Sequence, residues 1–140
     1  MEVYLSVPMI ANRALERAQI IAKAIEDSGH HVSSPWVLGP IETSNPSVVN
    51  VFQRDKDGAE RSDVLVADVT EPSIGVGMEI MAAYKAGRRV ILVAKRGRVT
   101  SRMLQHMDRK EILEYEMESE IYDRLRSLLS KAKATTPKDW

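Results

Sequence analysis

One stretch, DVLVADVTEPSIGVGMEI over residues 63–80, constrains this chain more than any other. An apolar run of strand length passes into a turn punctuated by Pro72, Gly75 and Gly77 and then into helical spacing, the order of a strand, a tight connection and a helix. A strand apolar at successive positions is buried on both faces, which calls for a parallel sheet covered by helices on each side. The same turn delivers Glu79 at a helix start, at the carboxyl edge of the sheet where open α/β folds carry their chemistry.

The rest of the chain repeats that alternation. A strand is expected over residues 3–7, and then a helix over 11–28 with Leu15, Ala18, Ala22 and Ile25 on its stripe and Gly29 as its stop. A weak strand at 31–34 leads into a Pro-, Gly-, Ser- and Asn-rich loop over 35–45, long enough to suggest function. Asn45-Pro46 reads as an N-cap and first turn, opening a helix that runs to Arg61. Further elements are a strand at 64–69, a helix at 75–86 closed by Gly87, and a strand at 89–94. After a basic turn at 95–100 come a short helix at 101–107, a strand at 112–115 and an amphipathic helix at 116–134 with Ile121, Leu125, Leu128 and Leu129 on one stripe. The pattern implies one three-layer α/β domain, Rossmann-like or flavodoxin-like, over residues 1–134, with a parallel sheet of about five strands and a loose tail at 135–140.

Composition narrows the partners. Lys plus Arg and Asp plus Glu balance at 20 each, so no overall positive field gathers nucleic acid or anionic membrane, and a small ligand is the better expectation. The absence of cysteine excludes disulfides, thiolate metal sites and cysteine nucleophiles. With no basic leader and no long apolar run, a soluble, cytoplasmic protein is expected.

Several residues could carry chemistry. Asp55 shares a helix stripe with Val48, Phe52 and Ala59, so its carboxylate interrupts an apolar face and must be ion-paired, hydrogen-bonded or shifted in pKa. Glu79 is either a first-turn acid favoured by the helix dipole or, from its place beside Ala82, Ala83 and Ala86, a functional carboxylate turned toward the sheet. The turn PSIGVG offers backbone amides and the Ser73 hydroxyl as an anion cradle, although it matches neither the dinucleotide fingerprint nor a P-loop. Tyr4 is plain core or a buried hydroxyl in need of a partner, and Trp36 is a lid or a stacking surface for a base. His30, His31 and His106 lack ligand-like spacing, and neither a metal nor a cofactor is expected.

With these residues laid out, the chain resembles the nucleoside 2-deoxyribosyltransferase superfamily, and within it the 2'-deoxynucleoside 5'-phosphate N-hydrolase branch. The likeness spans residues 3–103 and is most specific from Asp55 through Thr70-Glu71-Pro72-Ser73 to the Gly-Val-Gly-x-Glu turn. It implies cleavage of the N-glycosidic bond of a deoxyribonucleoside 5'-monophosphate. Glu79 would be the nucleophile, Asp55 the second carboxylate, and Tyr4 the group that aligns Glu79. It further implies that Ser73, Gly75 and Gly77 hold the 5'-phosphate, helped by Ser101 from a second subunit of a homodimer. The first loop departs from the branch, whose hydrolases carry a Gly-Ser-x-Arg type turn; here Pro8 and Ile10 stand in place of that serine and arginine, leaving Ser6, Asn12 or Arg13 to compensate. Trp36 stands where related hydrolases place a histidine, so a stacking contact to the base is implied. A transferase moving deoxyribose between bases is the alternative within the superfamily, and a non-catalytic nucleotide-binding domain is the alternative outside it.

Overall fold

The apolar runs become five parallel strands, β1 (Glu2–Ser6), β2 (His31–Val32), β3 (Val64–Asp68), β4 (Arg89–Lys95) and β5 (Lys110–Tyr115), in the order β2-β1-β3-β4-β5. The computed structural model describes residues 1–10, 13–40, 50–98 and 101–131. Helices α1 (Leu15–Asp27) and α5 (Ile121–Ser130) pack together on one face of the sheet, while α2 (Val51–Arg61) and α3 (Ile74–Lys85) cover the other. The short α4 (Arg102–His106) joins the second face through Leu104, as does Met107 just beyond it. Among the described residues no helix is long and apolar enough to cross a membrane.

Strand alternation decides what each core receives. On β1, Val3 and Leu5 join the α1/α5 core, whereas Tyr4 joins the α2/α3 core. Tyr4 pairs in register with Leu65 and Ser6 with Ala67, so the Tyr4 and Ser6 side chains lie on the α2/α3 side, two residues apart. The winding reverses between β1 and β3, which leaves a crevice at their carboxyl ends, the usual ligand position in such sheets.

The element boundaries refine the sequence reading. Helix α1 begins at Leu15, after non-helical Arg13 and Ala14, and not at residue 11. Helix α2 begins at Val51, with Asn50 as the cap whose side chain accepts from the Gln53 amide at 3.0 Å. The expected cap Asn45, together with Pro46, Val48, Asn12 and the tail at 135–140, lies outside the described residues. The loop after β2 contains a 3₁₀ turn, Pro35–Leu38, launched by the buried Ser34, whose hydroxyl accepts from the Leu5 amide and donates to the Leu5 carbonyl. Phe52 was expected to face inward but is 57% exposed, because the α2 face that meets the sheet centres on Ala59. Gly29 and Gly87 close α1 and α3 at φ of 83° and 78°, values that favour glycine.

A polar network braces the end of β3 on the α1/α5 side. Asp68, 1% exposed, accepts from Arg17 Nε at 2.6 Å and from the Thr70 amide at 3.1 Å. Arg17 also reaches Glu118 at 3.0 Å and lies over the Tyr115 ring, and the Tyr115 hydroxyl meets Thr70 at 2.8 Å. Each member has a partner, so the turn that follows β3 leaves the sheet in a fixed direction.

Candidate active site

That turn delivers Ser73, which caps α3 by accepting from the Val76 amide at 3.3 Å. The amides of the first helical turn have no intrahelical acceptor, so the open end of α3 is an anion-binding position. Gly75 and Gly77 sit within this turn, and a Cβ added at either would meet nothing within 4 Å. Each glycine costs a helix roughly 1 kcal/mol relative to alanine. The packing of the described residues requires neither glycine.

Glu79 follows one turn later. The sheet-facing stripe of α3 is Val76, Ile80 and Ala83; Glu79 stands at the edge of that stripe, beside the β1 hydroxyls of Tyr4 and Ser6, and lines a groove toward α2 with Asp55, Gly75, Ala82 and Ala86. Burial pushes the Glu79 carboxyl up to about 7, and the nearby charge of Asp55 adds to the rise. The hydroxyls of Tyr4 and Ser6 and the charge of Arg54 act against it. Both hydroxyls are completely buried and close to Glu79, yet neither completes a well-directed hydrogen bond among the described residues. Burial, reinforced by the negative charge of Glu79, also holds the Tyr4 hydroxyl far above its ordinary pKa, so it remains a donor at any working pH.

Asp55 unites the two readings open for it. It is ion-paired, accepting from Arg54 Nε at 2.8 Å, and it also faces Glu79 across the α2/α3 groove. Trp36 stands over this assembly, edge-on to Tyr4 with ring centroids 6.2 Å apart. The Arg54 guanidinium lies 4.4 Å above the Trp36 ring, so that face is already covered. Trp36 Nε1 is a further buried donor with no partner among the described residues. Arg13 donates through Nη2 to the carbonyls of Val37 and Gly39, and so clamps the turn that carries Trp36.

Ser101 lies apart from Glu79. It caps α4 by accepting from the Leu104 amide at 3.3 Å, and it lines a second groove with Ser73, Gly77 and Tyr84 on the other side of α3. His30 meets the N-terminal amine, His31 pairs with Glu2, and His106 ends α4 at the surface. No group of His, Cys, Asp or Glu among the described residues could hold a metal.

The sequence reading passed over two members of the site. Gly58 lies in the middle of α2, where an added Cβ would come within 2.7 Å of Tyr4 Cε2, so this glycine lets the tyrosine ring lie against the helix. A glycine inside a helical pattern was the available signal. Arg54 lies off the stripe that Asp55 shares, and its folding back over Trp36 leaves no trace in the sequence.

No protein-family model matches the sequence. A protein of Thermofilum pendens with the provisional name 2'-deoxynucleoside 5'-phosphate N-hydrolase 1 is 38% identical over 104 residues, 72% of this chain and 73% of the relative. The chain belongs to this family. A second member, from Methanococcoides burtonii, is 32% identical over 98 residues, 66% of this chain and 80% of the relative. At 20% identity, the CMP N-glycosidase of Clostridium botulinum shares the fold with a TM-score of 0.66 over 89% of this chain and 98% of that one. The 2-deoxyribosyltransferase of Bacillus psychrosaccharolyticus, also 20% identical, does so with a TM-score of 0.64 over 88% of this chain and 91% of that one. The N-hydrolase family thus shares its three-layer architecture with deoxyribosyltransferases.

Proposed function

We propose that this chain hydrolyses the N-glycosidic bond of 2'-deoxyribonucleoside 5'-monophosphates, releasing the free base and deoxyribose 5-phosphate. The observation that carries the reading is Glu79, a carboxylate held at the switch point of the sheet with its pKa raised to about 7 and two buried hydroxyls beside it. The ionised carboxylate attacks the anomeric carbon as the bond to the base breaks, and the bonding pair leaves with the base. Water then cleaves the glycosyl ester and regenerates Glu79. Asp55 is the second carboxylate, serving the departing base or the incoming water, and Tyr4 steadies Glu79 by donating its hydroxyl.

Ser73 and the amides of Ile74 and Gly75 bind the 5'-phosphate, with Gly77 leaving room for its approach, since an anion at this helix end meets donors and the positive end of the dipole. Ser6, whose hydroxyl lies beside Glu79, is the nearest candidate to contact the sugar, and Arg13 acts through the Trp36 turn. Ser101 is supplied by a second copy of the chain. Two features support that arrangement: its own groove lies across α3 from Glu79, and α3 exposes Ile74, Met78 and Met81 as an apolar strip between the two grooves. A pool of free nucleotides as substrate assigns the enzyme to the cytoplasm.

The test is release of base and sugar phosphate from a panel of deoxynucleosides and their 5'-monophosphates, followed chromatographically. Release from the monophosphates supports the reading. Formation of a new nucleotide when a different free base is added would assign the chain to the transferases. A Ser101→Ala variant that binds nucleotide as tightly as the parent removes the shared-site part.

A further inference from the structure

Resting on that activity, we infer that Arg54 is a catalytic residue that stabilises the departing base, donating from its guanidinium to a ring carbonyl beside the breaking bond.

Arg54 is held more firmly than a long cationic side chain on a helix usually is. Its Nε donates to Asp55 at 2.8 Å, while its guanidinium rests on the Trp36 ring at 4.4 Å. Trp36 is in turn braced edge-on by Tyr4, and its turn is clamped by Arg13. The ordering entropy of the side chain is therefore met in the folded protein and not at the moment of reaction. Arg54 is 23% exposed, so its charge is only partly screened. Its partner Asp55 lines the same groove as Glu79, which brings the guanidinium beside the proposed reacting centre.

The chemistry requires a cation there. When Glu79 adds its electron pair to the anomeric carbon, the pair of the carbon–nitrogen bond moves onto the base and spreads to the carbonyl oxygen flanking that nitrogen. Glu79 and Asp55 are both carboxylates, so neither offers a fixed positive charge to an anionic leaving group. A fixed guanidinium does so most strongly as the charge develops, in the manner of an oxyanion hole. A proton from solvent completes the released base. Arg54 also covers one face of Trp36, so the base meets the guanidinium there and not the bare indole. The substrates this arrangement suits carry a carbonyl next to the glycosidic nitrogen, as pyrimidine nucleotides do.

The experiment compares the parent with Arg54→Met and Arg54→Lys on 2'-deoxyuridine 5'-monophosphates bearing fluoro, bromo, hydrogen or methyl at ring position 5, a series in which the acidity of the released base varies. Arg54→Met keeps a flexible stem on Trp36 and removes the charge. The expected result is a kcat loss of about 100-fold for the methyl compound, falling to about tenfold or less for the fluoro compound, with KM little changed. Arg54→Lys, which keeps the charge without the planar fork, should lie between the parent and Arg54→Met and keep the same trend. An equal loss across the series, or a change confined to KM, would show that Arg54 only positions Asp55 and would overturn the inference. If Arg54→Met does not fold, the slope measured with Arg54→Lys decides. Absence of base release by the parent from every compound refutes the proposed activity itself, an outcome distinct from an unchanged slope.

Discussion

Two polar clusters stand back to back at the carboxyl edge of the sheet, and they have been built in opposite ways. On the α1/α5 side, Arg17, Asp68, Glu118, Thr70 and Tyr115 form a closed set of ion pairs and hydrogen bonds. On the α2/α3 side, Glu79 faces the like charge of Asp55, and the buried hydroxyls of Tyr4 and Ser6 complete no hydrogen bond of good geometry among the described residues. Burial alone does not separate them, since Asp68 is 1% exposed and Tyr4 not at all. Satisfaction does. The first cluster lowers the energy of the fold, while the second, on the proposed function, keeps donors and a strained carboxylate for the substrate.

Substitution should exaggerate that contrast. Glu79→Gln is expected to reduce base release roughly 10³-fold or more while nucleotide binding, measured by titration calorimetry, persists. Comparable turnover by the variant would remove Glu79 as nucleophile. Asp68→Asn should do the reverse. It leaves Arg17 without its buried partner, costs about 3 kcal/mol in urea unfolding, and leaves turnover per folded molecule close to the parent value. A loss of turnover with unchanged stability would mean that the two clusters are not separate in function.

The pH dependence sharpens the comparison further. Glu79 has a folded-state pKa of about 7 against 4.5 ordinarily, so the folded chain retains a proton there that the unfolded chain releases. Stability therefore falls as pH rises from 4.5 toward 7, with no further loss from this group above that range, by about 2 kcal/mol once residual solvent contact is allowed for. That drift should vanish in Glu79→Gln, which becomes the more stable protein at pH 8. Over the same interval kcat/KM should increase with pH through a midpoint near 7, as the nucleophile ionises. A flat stability profile in the parent would show that Glu79 is not strained.

The smallest expected effect tests the fit of one ring. In Gly58→Ala the new methyl group meets the Tyr4 ring and displaces its hydroxyl from Glu79, which should lower kcat about tenfold. Tyr4→Phe should remove most of that difference. If the alanine substitution costs as much in the phenylalanine background, it acts through something other than the hydroxyl.

Much of this was legible in the chain. The order of apolar runs, turns and helical stripes determined a parallel three-layer sheet, because strands buried on both faces can be covered only by crossover helices. The segment over residues 63–80 determined a helix start capped by Ser73, because capping and turn chemistry are local, although Glu79 falls in the second turn of that helix and not at its start. Even the alternation that puts Tyr4 and Ser6 on one face of β1 follows from the period of a strand.

What stood beside Glu79 was decided only in three dimensions. Tyr4 and Arg54 lie far from Glu79 along the chain and act on it only because β1 and β3 pair and α2 packs on α3, while Trp36 and Gly58 reach the site through Tyr4. The rotation of α3 that turns Glu79 toward α2 depends on which small residues reach the sheet, and helical spacing gives a face without saying what it faces. Charge, burial and unsatisfied hydroxyls act through space, so the raised pKa of Glu79 exists only once those elements have closed around it.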